Sequence, residues 1–164
     1  MLRFLRPHAY APRITHIDPR QLRARGIRGV IVDLDNTLVG FRALVPLAED
    51  AAWIEAAHAA GVRVAMVTNN GTPWASQVAK DLGVPCIARA RKPLPRSFRR
   101  ALAILELRRE EVVVIGDQLF TDVLGGRLAG FEVILVEPLV RRDPWNTRPL
   151  RWIERIVMRG VRRI

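Results

Sequence analysis

Cysteine is almost missing from this 164-residue chain. Cys86 stands alone, so no intrachain disulfide and no cysteine-built metal cluster can form, which fits a reducing compartment. No apolar run approaches the ~20 residues with which a helix crosses a bilayer. Residues 1–13 are basic but hold no apolar segment, so a secretory signal is not expected there. Lysine is scarce as well: of the 27 basic residues, only Lys80 and Lys92 are lysine. No zinc-ligand spacing, RNA-motif spacing or interleaved aromatic platform occurs, which argues against a dedicated nucleic-acid module. Hydrophobic residues make up 49% of the chain, enough for one domain with a core and too many for a disordered segment.

Acidic residues are few outside the middle. Residues 1–28 carry seven arginines against Asp18, and 141–164 carry eight against Asp143 and Glu154, a net of +6 each; 29–140 comes to −1. A near-neutral domain over 29–140 is therefore expected between a basic lead-in (1–28) and a basic tail (141–164), with +11 overall.

The chain is organised around Gly29-Val30-Ile31-Val32-Asp33-Leu34-Asp35-Asn36-Thr37-Leu38. The β-branched run suits a strand buried on both faces. It ends in two carboxylates, which share a face if the strand continues. Paired anions at the end of a buried strand need a cation or a proton to relieve their repulsion. An EF-hand loop is excluded, because Leu38 and Leu44 occupy the positions that need Gly and Glu. An Asx turn or helix cap built from the same residues remains open.

The pattern predicts a helical turn over 19–25 capped by Asp18, and helices over 47–60, 72–82, 95–107 and 122–129. The first long helix would bury Leu47, Ala51, Ile54 and Ala57-His58; the third would align Phe98, Leu102 and Leu105. Strands are expected at 30–32, 62–68, 84–88, 112–115 and 133–136. Alternation of this kind indicates an α/β fold with a parallel five-stranded sheet covered by helices on both faces, and ligands bind beyond the carboxyl ends of such strands. At those ends stand Asp33 and Asp35, then Thr68-Asn69-Asn70, then Lys92, then Gly116-Asp117 followed by Asp122. Singly, each has an ordinary use as a cap, a turn or a solvated charge. Their convergence on one edge is what points to a site.

The runs D-L-D-N-T, V-T-N-N, R-K-P and G-D-Q-L-F-T-D resemble, in order, the four motifs of the haloacid dehalogenase (HAD) superfamily of phosphohydrolases. The wording G-D-Q-L-F-T-D-V-L-G-G and the basic tail are similar to its IIIA-type branch, which includes YqeG-like bacterial proteins and mitochondrial phosphatidylglycerophosphate phosphatases. The resemblance implies a HAD-like Rossmannoid fold and Mg²⁺-dependent phosphomonoester hydrolysis through an aspartyl-phosphate. It implies Asp33 as nucleophile and Asp35 as general acid, then base. Thr68 and the amide of Asn69 would hold phosphate oxygens, and Lys92 would place a fixed positive charge on the reacting centre. Mg²⁺ would be held by Asp33, the backbone carbonyl of Asp35 and Asp117, with Asp122 supporting them.

Only 32 residues separate Asp35 from Thr68, and 23 separate Thr68 from Lys92. Neither interval has room for an inserted cap domain, so a capless, open site is expected, suited to a phosphate on something large. In the tail, Leu150, Ile153, Val157, Val161 and Ile164 recur at helical spacing with Ile156 beside them, against Arg151, Arg155, Arg159 and Arg162. A basic amphipathic helix over 146–164 is expected, lying on an anionic membrane or docked on the domain. The resulting expectation is a cytoplasmic phosphatase, peripheral on the inner face of the membrane, acting on phosphatidylglycerophosphate. The alternatives are a soluble phosphatase of a sugar phosphate or phosphoprotein, and an RNA- or ribosome-associated protein.

Overall fold

The computed structural model describes residues 2–40, 45–140 and 157–164. Its strands are β1 (Ala9–Ala11), β2 (Gly29–Val32), β3 (Arg63–Val67), β4 (Cys86–Ile87), β5 (Val112–Gly116), β6 (Glu132–Val136) and β7 (Arg162–Arg163). They form a single sheet in the order β4-β3-β2-β5-β6-β1-β7, with every neighbouring pair parallel. Helices α1 (Pro19–Ala24), α2 (Ala48–Ala59), α3 (Pro73–Asp81), α4 (Pro95–Leu105) and α5 (Leu124–Ala129) connect them.

Alternation along the strands splits the core in two. Val30, Val32, Val64, Met66, Val113 and Ile115 face one layer with Trp53, Ile54 and Val78. Ile31, Ala65, Val67, Val112 and Val114 face the other with Phe98, Ala101, Leu105 and Phe131. Strands buried on both sides explain why the sequence shows continuous β-branched runs rather than alternation.

Among the described residues the sheet has seven strands, not five. Ala9–Ala11, inside the expected basic lead-in, pairs with β6 from Ala9↔Ile134 to Ala11↔Val136. Three residues with two small side chains carry too little β-propensity to announce a strand; only the exposed edge of β6 recruits them. The tail also departs from expectation. Residues 146–156 lie outside the described residues, and 157–164 do not carry the expected helix on to 164. Gly160 takes φ +70°, a left-handed conformation that ends a helix, and Arg162–Arg163 then pair with β1.

In α2 the buried residues are Asp50, Trp53, Ile54 and Ala57, while Leu47 is exposed. The lead-in decides this rotation. Arg13 Nη2 donates to both carboxylate oxygens of the fully buried Asp50, at 2.9 and 3.0 Å, and Trp53 Nε1 donates to the carbonyl of Ile17 at 2.6 Å. The expected cap at α1 is present, with Asp18 accepting from the backbone N–H of Arg20.

Candidate active site

β2 ends at Val32, but Asp33 N–H still donates to the carbonyl of Ile115 at 3.0 Å, so Asp33 extends the ladder by one residue. The chain then turns sharply. Leu38 and Val39 both donate to the carbonyl of Leu34, and Asn36 sits at φ +63°, which Asn tolerates better than most residues. The extended geometry that would hold Asp33 and Asp35 on one face therefore stops, and the two carboxylates meet different partners.

Asp33 is buried against Lys92. The Lys92 ammonium lies 2.6 Å from Asp33 Oδ1 and 2.7 Å from Asp122 Oδ1, and all three side chains are almost wholly removed from solvent. Burial alone would lower the lysine pKa, but the charges of Asp122 and Asp33 outweigh it and hold it above its ordinary value. The peptide of Lys92 is gripped as well. Its N–H donates to Asn69 Oδ1 at 2.6 Å, and Asn69 Nδ2 donates to its carbonyl at 3.3 Å. Lys92 is thus fixed at both ends by residues from other strand termini. Lys80, the other lysine, is exposed in the last turn of α3.

Asp35 belongs to a second cluster. Its Oδ2 accepts from Thr68 Oγ1 at 3.0 Å and its Oδ1 from Asn70 Nδ2 at 3.2 Å, while Thr68 Oγ1 accepts from the N–H of Asn70. Asp117 follows β5, and its Oδ1 accepts from Thr37 Oγ1 at 3.3 Å. A single π-turn, Leu119–Val123, then brings Asp122 back under the strand end. There its Oδ2 accepts from the Gln118 N–H and the Thr121 hydroxyl. Gly116 makes room for it: a Cβ at that position would lie 2.4 Å from Asp122 Cγ.

Asp33, Asp117 and Asp122 each offer an oxygen within 4.8 Å of the others. One lysine faces three carboxylates, leaving a deficit of positive charge in a poorly solvated place. The carboxyl of Asp33 is accordingly pushed up to about 8, by burial and by the charges of Asp122 and Asp117 against the pull of Lys92. That of Asp117 rises to about 7, by burial and the charge of Asp122. An all-oxygen cluster with excess negative charge fits a hard divalent cation.

These are the surroundings expected of a phosphoryl-transfer site, and the sequence matches accordingly. Residues 13–130 fit the family model described as haloacid dehalogenase-like hydrolase. The chain belongs to that family. This hydrolase is 39% identical over 161 residues to the protein named "Probable phosphatase YqeG" of Bacillus subtilis (strain 168), covering 98% of this chain and 94% of that one. It is 28% identical over 158 residues to the chloroplastic phosphatidylglycerophosphate phosphatase 1 of Chlamydomonas reinhardtii, covering 90% of this chain and 59% of that protein. Its fold is similar, at TM-score 0.60 and 17% identity, to the cobalt-bound deoxy-D-mannose-octulosonate 8-phosphate phosphatase of Haemophilus influenzae, covering 84% of this hydrolase and 77% of that chain. It is a phosphatase.

Every sequence-predicted site residue of this hydrolase lies at the same sheet edge. Sequence reasoning assigned no task to Asn70 and Thr37, which hold the carboxylates of Asp35 and Asp117. Both stand inside the quoted motifs, which was the only signal for them. The side-chain amide of Asn69 is committed to the Lys92 peptide, a clamp that no spacing announces.

Proposed function

We propose that this hydrolase removes the terminal phosphate of phosphatidylglycerophosphate at a membrane surface. Asp33 attacks phosphorus through a carboxylate oxygen, the bond to the leaving oxygen breaks, and Asp35 gives that oxygen its proton. Asp35 then takes a proton from water, which attacks the aspartyl-phosphate and releases inorganic phosphate and the free Asp33 carboxylate. Thr68, the backbone N–H of Asn69 and Lys92 bind phosphate oxygens, and Lys92 sets a fixed positive charge against them. Mg²⁺, held by Asp33, Asp117 and the carbonyl of Asp35 with Asp122 supporting them, would neutralise phosphate charge and orient the group.

One observation carries the choice of substrate: the segments flanking Lys92 in the chain are arginine-rich and apolar at once. Arg89, Arg91, Arg96 and Arg100 line a recess of about 380 Å³ with Leu94. None of the four forms an ion pair among the described residues. Val45, Leu47, Leu94, Phe120 and Val140 are exposed at the same edge of the sheet. A substrate with a second phosphate and acyl chains matches both features, and the short connection 68–72 between β3 and α3 leaves room for a bulky leaving group.

Phosphate release from phosphatidylglycerophosphate in mixed micelles, with Mg²⁺ and with EDTA, beside a soluble aryl phosphate, tests the reading. Rapid Mg²⁺-dependent turnover of the lipid with slow turnover of the aryl ester is expected. Turnover of the aryl ester alone would keep the chemistry and overturn the lipid assignment.

A further inference from the structure

The two basic segments of the sequence meet in space, away from the catalytic edge. Arg3, Arg6, Pro7 and His8 from one, and Val157, Gly160, Val161 and Arg162 from the other, line a cavity of about 550 Å³ together with Arg127 of α5. Its place in the fold is clear from the register. His8 precedes β1 and donates its N–H to the carbonyl of Val133, near the start of β6, and Arg162 is paired with Ala9. The cavity therefore lies toward the amino ends of the strands, whereas Asp33 stands beyond the carboxyl end of β2.

Four arginines line the cavity, Arg6 Nη2 already donating to the carbonyl of Arg159 at 3.0 Å. Among the described residues no carboxylate pairs with Arg3, Arg6, Arg127 or Arg162. Such groups ordinarily repel one another unless an anion joins them. His8 sharpens the point. Its Nδ1 accepts from the N–H of Val133 at 2.9 Å, so the neutral ring carries its proton on Nε2. That nitrogen lies 2.6 Å from Arg127 Nη1. In that tautomer two donors confront each other with no acceptor between them. Burial and then the charge of Arg127 lower the pKa of the ring, against the opposing charge of Glu132. Arg127 Nε is also buried without an acceptor, so this guanidinium finds little compensation within the protein.

We propose that this cavity is a second anion site, distinct from the catalytic edge, which takes a small, multiply charged phosphorylated ligand between Arg6, Arg127, Arg162 and the Nε2–H of His8. An acceptor oxygen lodged against His8 and Arg127 resolves the donor–donor conflict. The cavity volume suits a small molecule rather than an extended polymer. The proposal stands whether or not phosphatidylglycerophosphate is the substrate.

The test is calorimetric titration of pyrophosphate into the full chain in EDTA. Binding should persist in Lys92→Met, which disables the catalytic edge, and weaken about tenfold or more in Arg127→Gln and in Arg162→Gln, as expected for loss of one charge-assisted contact. Both arginine variants should keep wild-type turnover of an aryl phosphate, which also reports an intact fold; Arg162 is exposed, so its replacement disturbs no core. Pyrophosphate binding lost in Lys92→Met and unchanged in both arginine variants would overturn the proposal. So would Arg162-dependent sedimentation with phosphatidylglycerol vesicles in the absence of any pyrophosphate binding, since that would make the site a lipid contact.

Discussion

Lys92 offers a single positive charge to a site with three clustered carboxylates. Replacing it by Met should lower turnover about 10²-fold or more, by analogy with removing one preorganised electrostatic contact. The same change should leave Asp33 and Asp122 buried without their counterion, and thermal unfolding of the metal-free variant would register the loss. Asp33→Asn should abolish phosphate release and leave circular dichroism unchanged; wild-type turnover in that variant would remove the nucleophile from the mechanism. The carboxyls of Asp33 and Asp117 also give a pH dependence of definite sign. Their folded-state pKa values lie above the ordinary carboxylate value, at about 8 and about 7. Folding of the metal-free protein is thus favoured while both hold protons. It loses stability as pH rises from near 4 through about 8. The melting temperature in EDTA should fall across that window, and Mg²⁺ should reverse most of the fall at its upper end. Because binding the cation displaces those protons, Mg²⁺ affinity should weaken as pH drops through the same range.

Elements decide how these residues are aimed. Asp122 reaches the strand end only because the π-turn Leu119–Val123 follows β5 and Gly116 leaves space beneath it. Gly116→Ala should push Asp122 off Lys92, at a cost of about 1–3 kcal/mol in stability with a larger proportional loss of activity, read by urea denaturation beside a turnover assay. Helix α2 depends on a different device. Its buried Asp50 is neutralised by Arg13, which comes from before α1. Arg13→Ala should cost about 2–3 kcal/mol, at or below the low end for breaking a buried pair because Arg13 itself keeps some solvent contact. Neither device was legible in the sequence. A π-turn has no hydrophobic period to recognise, and an Asp within a helical stripe reads as solvated until its partner is known. Helix starts were legible, because Pro19, Pro73 and Pro95 fix local geometry by their own covalent structure and Asp18 caps its helix by a hydrogen bond two residues away.

For the whole molecule, the proposed lipid substrate requires the exposed apolar residues beyond the carboxyl ends of the strands, Val45 and Leu94 among them, to meet a bilayer. The paired changes Val45→Ser and Leu94→Ser should slow turnover of a micellar lipid substrate several-fold and leave a soluble aryl phosphate untouched. Equal loss on both substrates would mean that these residues serve the fold and not a membrane.

The sequence by itself determined the layered α/β class, the central strands and the shared edge of Asp33, Asp35, Thr68, Lys92, Asp117 and Asp122. Those follow from hydrophobic runs, turn residues and motif order, all encoded within a few residues of one another. Tertiary structure alone decided that Ala9–Ala11 and Arg162–Arg163 join the sheet, that Asn69 clamps Lys92, and that two distant basic segments close around Arg127. Each of these pairs groups far apart in the chain, and short-range propensity carries no record of a partner that only folding brings within hydrogen-bonding distance.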